Sequence, residues 1–265
     1  MAERLLFAGS IEEALQLSTE ESVFLAGGTE INRLNSTIQA PVLIDIHRIT
    51  ELKTIKKEEN TVWIGSAATF QNVVEHPDVP AYFKEACTFM ASRTKRNMAT
   101  VGGNIALLRD DAYILPALLA AKATVILADL SGTRELCICE YIAARKEGLL
   151  GSTLILRIGL PVNRTVFNKR YANTAMSHSV MSVSFGQDSC GKNISIGSVI
   201  KNSGIFHMTM LAEMVEKNPS VSEETVMETV NGCNGIDFKS DIYGSKEYKR
   251  YLLGATIAKM VSDAR

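Results

Sequence analysis

A chain of 265 residues, 46% apolar and 22% charged, is long enough for one large domain or two ordinary ones and can bury a real core. Its formal net charge of −1 provides no global basic field, which argues against nucleic acid or an anionic membrane as partner. The longest apolar runs, such as Ile114 to Ala121, fall far short of a bilayer span, and the N-terminal MAERLLFAGS shows no secretory h-region, so a cytoplasmic protein is expected.

The first third alternates strand and helix signals. RLLF reads as a short strand, and Ser10 then caps a helix over IEEALQL, with Glu13 placed to complete a capping box. SVFLA is a second strand ending at Gly27-Gly28, and VLIDI, rich in β-branched residues, is a third. Such a β-α-β unit carries its glycine turn at a strand's carboxyl end, where open α/β sheets place ligands.

A second region begins at TVWIGSAAT. Pro80 opens a helix whose apolar residues Phe83, Ala86, Cys87 and Met90 recur at helical spacing. A basic knot, RTKRN, leads into MATVGGNIALL. A helix around PALLAAK follows, then a strand ATVILADL, a turn at Ser131-Gly132 and a strand TLILRIGLP. Composition shifts near Pro161 to Arg164. Beyond it, SVMSVSFG and NISIGSVI flank a polar QDSCGK as an antiparallel hairpin, and helices are expected near 206–217, near 222–231 and after Ser245.

Five cysteines, Cys87, Cys137, Cys139, Cys190 and Cys233, show no zinc or iron–sulfur spacing and read as buried or half-buried free thiols. The four histidines include no i, i+4 pair and no HExxH, so no protein-bound metal is expected.

Two segments share one local chemistry: LAGGTE and ATVGGN each join a small residue, a glycine pair and hydroxyl or amide side chains. Glycines let successive N–H groups converge on an anion, as phosphate-binding nests do. Each pair alone is equally a tight turn; two matched pairs suggest a cradle for a dinucleotide. Neither supplies G-x-G-x-x-G. Gly186, followed after four residues by Gly191-Lys192, mimics a P-loop, but Asn193 replaces the magnesium-binding hydroxyl and ISIGSV is a strand where a helix is required.

FLAGGTE, LIDIHRITELKTI, WIGSAAT, ASRTKRNMATVGGNIA and DIYGSKEYKRYLL, in this order and spacing, resemble the FAD-binding (medium) subunit of molybdenum-containing hydroxylases, the xanthine dehydrogenase and carbon monoxide dehydrogenase family. The resemblance covers nearly the whole chain. It implies an α+β fold: a two-part FAD-binding domain of the vanillyl-alcohol-oxidase/PCMH type over 1–162, with a small β-α-β lobe at about 1–50 and a larger α/β lobe at 51–162. A smaller C-terminal α+β domain with antiparallel sheet and helices spans 163–265. It further implies non-covalent FAD, partners comprising a molybdopterin-binding large subunit and a 2Fe-2S small subunit, and NAD or another acceptor for the electrons.

Carried over by position, FAD would lie against Val23, Phe24, Leu25, Ala26, Gly27, Gly28, Thr29, Glu30 and Ile31, and against Ala99, Thr100, Val101, Gly102, Gly103 and Asn104. The N–H groups of Gly27, Gly28, Thr29, Gly102 and Gly103 are the expected donors, with hydroxyls from Thr29 and Thr100. Backbone at Leu154 would face adenine, and Phe167, Asn168 and Lys169 would lie near the isoalloxazine. No residue is expected to act as a catalytic nucleophile or acid. The chain departs from the family pattern at Tyr113, Asn168 and Ser177, where the family carries Asp, an aromatic and Asp; Asp110 and Asp111 stand near the first gap, as substitutes or as a solvated turn. Two function classes follow: a redox subunit that carries FAD, and a docking subunit of the same assembly with weak or lost FAD binding.

Overall fold

The computed structural model describes residues 3–264 except 34, 35, 37, 39, 219, 233 and 234, so Cys233 lies outside the described residues. The chain packs into two compact units that alternate along the sequence. The first comprises Met1–Val79, Ser92–Leu107 and Ala123–Leu160; the second comprises Pro80–Ala91, Leu108–Lys122 and Pro161–Arg265. The last crossing, between Leu160 and Pro161, falls where composition shifts. The two earlier excursions fall inside the domain expected over 1–162.

In the first unit, β1 (Arg4–Phe7), α1 (Ile11–Leu17), β2 (Ser22–Leu25) and β3 (Val42–Asp45) form a parallel sheet in the order β1-β3-β2. Ser10 Oγ accepts the Glu13 N–H as expected, but Glu13 returns its carboxylate to the Gly9 N–H, one residue before the capping-box position. A single 3-10 turn, Glu51–Lys53, leads to β4 (Ile55–Glu58), β5 (Thr61–Gly65) and α2 (Phe70–Glu75). The first excursion carries α3 (Ala81–Thr88). The chain then returns for α4 (Arg93–Arg96) and α5 (Val101–Ala106), and leaves again for α6 (Leu115–Ala121). It comes back as β6 (Thr124–Asp129), β7 (Gly132–Cys137), α7 (Ile138–Lys146) and β8 (Leu154–Pro161), giving a five-stranded sheet ordered β4-β5-β8-β6-β7. One apolar cluster, including Ala14, Ile44, Ile49, Leu52, Ala67, Ala128 and Leu154, ties both sheets together.

The polar outward faces of β7 and α7 give neither element a clear signal in sequence, and the cysteines there are expected to be free thiols. Cys137 and Cys139 are instead joined as a disulfide, their Cα atoms 5.4 Å apart. The chain turns from strand into helix at Cys137, which brings the two sulfurs together where a continuous strand would have kept them apart.

The second unit is built on an antiparallel sheet ordered β12-β11-β10-β9: β9 (Arg164–Tyr171), β10 (Met181–Asp188), β11 (Ser195–Ile200) and β12 (Gly204–His207). The polar hairpin closes through Asp188 N–H to Lys192 O at 2.8 Å with Gly191 at φ +71°, and no helix follows, which disposes of the P-loop reading. Met181, Val183, Phe185, Ile196 and Ile200 face one way, onto α8 (Thr209–Lys217), α9 (Glu223–Gly232) and α10 (Lys246–Asp263). β12 occupies 204–207, where the sequence predicts a helix from about 206. The opposite face is lined by small residues, Ser182, Ser184, Gly186, Ser195 and Gly197. A Cβ on Gly186 would fall 2.1 Å from Ala120 O, and one on Gly197 2.5 Å from Pro116 O, so α6 lies directly on the sheet backbone. The alternation that usually marks one wet face is here buried on both sides.

Arg164 holds the end of α6 in this packing. Its guanidinium is buried and donates to Ala120 O at 3.0 and 3.2 Å and to Asn193 O at 2.9 Å. A helix C-terminus leaves carbonyls unsatisfied, and a cation there also meets the negative end of the helix dipole. Replacing Arg164 with Ala strands two carbonyls and is expected to destabilise the second unit by about 3 kcal/mol, measured by urea unfolding.

Candidate functional site

The first unit supplies the site. β2 ends at Leu25, whose carbonyl accepts the Ile46 N–H at 3.0 Å, and the chain leaves the parallel sheet at its carboxyl end. Gly28 turns it with φ +66°, and Gly28 O accepts the Asn32 N–H at 3.0 Å. The N–H groups of Gly27, Gly28 and Thr29 have no acceptor among the described residues. Three successive donors around a left-handed residue make an anion-accepting concavity.

The second segment lies against the first. A Cβ on Gly27 would fall 1.7 Å from Met98 O and 3.3 Å from Thr100 Cγ2, so only glycine lets the two backbones touch. Ala99 to Asn104 is not a loop: Thr100 caps α5, its Oγ1 accepting the Gly103 N–H at 3.2 Å. Gly102 donates to Ser66 O at 2.8 Å, Val101 to Ala68 O at 3.0 Å, Asn104 to Thr100 O at 3.1 Å and Ala99 to Lys95 O at 2.7 Å. The expectation that Gly102 and Gly103 offer their N–H groups to a ligand is therefore corrected: both are spent inside the protein. Gly102 is small because Ser66 lies beneath it, where a Cβ would come within 2.6 Å of Ser66 Cβ. In this segment the Thr100 N–H alone has no acceptor among the described residues, while Asn104 Oδ1 and Ser66 Oγ are buried without a protein partner. Orphaned polar atoms of this kind mark a place that a polar ligand or water completes.

Ser66, within WIGSAAT, carries one sequence signal: it is a small polar residue directly after a strand-ending glycine. Val23, Phe24 and Leu25 are strand residues of the lobe, and Glu30 turns back to pair with Arg33 at 3.4 Å. Leu154 is buried beside Ala67 and Ala128, two residues before Leu156, whose carbonyl accepts the Ser66 N–H at 2.9 Å.

Phe167, Asn168 and Lys169 lie on β9 in the second unit. Phe167 packs against that unit's core, its ring centroid 6.4 Å from that of Phe185. The Asn168 amide is fully engaged: Nδ2 donates to Tyr82 O and Glu85 Oε2, both at 2.9 Å, and Oδ1 accepts from Ser184 Oγ at 2.7 Å. Lys169 is exposed, its amine 6.0 Å over the Tyr171 ring.

Asp110 and Asp111 are not a solvated turn but part of a charged network within the second unit. Asp111 is 3% exposed and accepts a fork from Arg109 at 2.7 and 2.9 Å, with Lys201 Nζ at 3.1 Å and His178 Nδ1 at 3.3 Å. Asp110 takes Lys201 at 2.8 Å and the Asn202 N–H at 2.8 Å. The network continues through Asn202 to Asp241, which holds the fully buried Lys249 at 2.6 Å. Burial alone would raise the Asp111 pKa, but hydrogen bonds and charge from Arg109 and Lys201 hold it well below the ordinary carboxylate range. Ser195 and His207, 3.0 Å apart, form no nucleophilic pair: Ser195 is fully buried and donates to Leu119 O at 2.8 Å.

The family described as "FAD binding domain in molybdopterin dehydrogenase" matches residues 2–163. The glyceraldehyde dehydrogenase medium chain of Sulfolobus acidocaldarius is 28% identical over 274 residues, covering 97% of this chain and 96% of its own. The uncharacterized protein YgfM of Escherichia coli K12 is 26% identical over 269 residues, covering 100% and 97%. The nicotinate dehydrogenase FAD-subunit of Eubacterium barkeri is 32% identical over 122 residues, 44% of this chain and 41% of that one. Among solved structures, the reconstituted CO dehydrogenase from Oligotropha carboxidovorans shares the fold with a TM-score of 0.85 at 19% identity, covering 100% of this chain and 97% of that chain. Quinoline 2-oxidoreductase from Pseudomonas putida 86 does so at 0.82 and 18%, covering 98% and 95%.

Two outcomes follow from this geometry. Gly27→Ala drives a methyl into the Met98 carbonyl and is expected to cost about 3 kcal/mol or more of stability, whereas Gly103→Ala meets only the Thr100 hydroxyl and is expected to cost less than about 1 kcal/mol; thermal unfolding of both variants measures this. Because the folded Asp111 pKa lies below its unfolded value, its contribution is complete above about pH 4 and is lost as pH falls further. Asp111→Asn is expected to destabilise by about 3 kcal/mol at neutral pH and to flatten the acid limb of the stability–pH curve.

Proposed function

The chain belongs to the family of FAD-binding domains of molybdopterin dehydrogenases, and from that premise we propose that it is the flavin subunit of a xanthine dehydrogenase-like molybdenum hydroxylase. It is an oxidoreductase component, and FAD is its cofactor. The observation that carries the site assignment is the row of N–H groups at Gly27, Gly28 and Thr29 with no acceptor among the described residues, where Gly27 is seated on the Met98 carbonyl and beside the Thr100 methyl. In this reading those donors and the Thr100 N–H hold the pyrophosphate, the Asn104 amide and Ser66 hydroxyl complete the polar shell, and Leu154 backbone faces adenine. FAD supplies the electron-carrying chemistry; the chain binds it, orients it and keeps water from its phosphates. In this reading the FAD-binding domain spans 1–162, with lobes at about 1–50 and 51–162 and with 80–91 and 108–122 given over to the second unit, and 163–265 forms most of the C-terminal domain.

Electrons would reach the flavin from the 2Fe-2S clusters of a small partner subunit, after substrate oxidation on a molybdopterin-binding large subunit, and pass to NAD or another acceptor. Support comes from the matched relatives, whose names give them as single chains of larger dehydrogenases, among them the nicotinate dehydrogenase FAD-subunit and the glyceraldehyde dehydrogenase medium chain. No helix among the described residues is long and apolar enough to cross a membrane. A second reading, a docking subunit with weak FAD binding, draws on the spent N–H groups of Gly102 and Gly103 and on the engaged Asn168.

Purified chain incubated with FAD and desalted is expected to retain one flavin per chain, visible by absorbance and released on denaturation. Gly28→Val, which sets a branched side chain at φ +66° against the Asn32 amide, is expected to lower affinity at least tenfold. A colourless protein that gives no calorimetric heat with FAD would establish the docking reading instead.

A further inference from the structure

We propose that Cys137 and Cys139 form a redox-active dithiol–disulfide couple, a modification site that exchanges with low-molecular-weight thiols and disulfides. The two residues are bonded across a single intervening residue. A ring this small removes little chain entropy from the unfolded state, so the bond is held by local geometry more than by the fold. Both cysteines are half-buried and in reach of a small thiol, whereas of the other described cysteines Cys87 is buried and Cys190 sits in an exposed turn.

The local structure also prepares a leaving group. Cys137 is the N-cap of the nine-residue α7, and its Sγ accepts the Glu140 N–H at 3.2 Å, as a serine or threonine hydroxyl would at this position. An N–H donor and the positive end of the helix dipole favour sulfur as thiolate, against the opposing charge of Glu140. A thiolate RS⁻ attacks Cys139 Sγ; the Cys137–Cys139 bond breaks, an RS–Cys139 bond forms, and the electron pair leaves on Cys137. A second RS⁻ attacks the mixed disulfide, releasing RSSR and the Cys139 thiolate. Two electrons and two protons are taken up in all, with the thiol as reductant; the reverse needs a small disulfide as oxidant. Glu140 Oε2 keeps accepting the Cys137 N–H at 2.9 Å, so α7 remains capped in either state.

The test equilibrates the full chain, without added flavin, across ratios of reduced to oxidised glutathione, then alkylates thiols and maps peptides by mass spectrometry. Cys137 and Cys139 are expected to pass from protected to alkylated together in one two-electron transition, and Cys190→Ser should leave that transition unmoved. Cys139→Ser should abolish it, leaving Cys137 alkylated at reducing ratios and carrying one glutathione at oxidising ones. Alkylation of both cysteines at every ratio would overturn the proposal, as would a bond that survives excess dithiothreitol in the folded protein. Neither result bears on FAD binding, which is read separately by absorbance.

Discussion

The contact on which the site depends is the meeting of Gly27 with the Met98 carbonyl. Two stretches seventy-odd residues apart approach so closely that no Cβ fits between them. That approach holds the Gly27–Thr29 turn against α5 while its N–H groups stay uncommitted. Around it the rest of the first unit is stitched in order: Ala68 and Ser66 carbonyls accept from the first turn of α5, Phe70 donates back to Ala99 O, and Leu156 O fastens Ser66 to β8. The first turn keeps three N–H groups without an acceptor among the described residues, whereas the second segment keeps only that of Thr100.

This asymmetry refines the idea of a symmetric cradle. Two Gly-Gly pairs look alike as text, but one serves conformation and the other serves packing. Gly28 needs its glycine for a left-handed turn; Gly102 needs its own because Ser66 lies underneath. Sequence cannot separate these reasons, since absence of a side chain is the signal in both. The β-α-β lobe, the Ser10 cap, the polar hairpin and the long C-terminal helix were legible because each rests on local chemistry: periodicity, capping or turn residues. Illegible were features decided by distant partners. Ser182, Ser184 and Gly186 read as a wet strand face until α6 covers them, and Asp110-Asp111 reads as a surface turn until Lys201 arrives from ninety residues on.

The second unit resolves its charges by pairing. Lys249 loses all contact with solvent, yet its ammonium donates to Lys201 O, Lys239 O and Asp241. A buried ammonium is tolerable only with such a complement, and a hydrophobic replacement of the whole set could pack as well. What the set adds is direction: it joins the 108–111 segment, the β11–β12 connection and the start of α10 in one register that apolar contacts alone would not enforce.

The interleaving of the chain carries a consequence for how the molecule is made. During synthesis α3 and α6 emerge long before β10 and β11, the strands against which α6 comes to rest, so an apolar helix waits uncovered while some sixty further residues are added. Neither unit is a contiguous module that the ribosome can finish and set aside. Closure of the second unit is deferred until the nascent chain has passed β11, which makes its assembly a late event with many long-range contacts and a correspondingly slow rate.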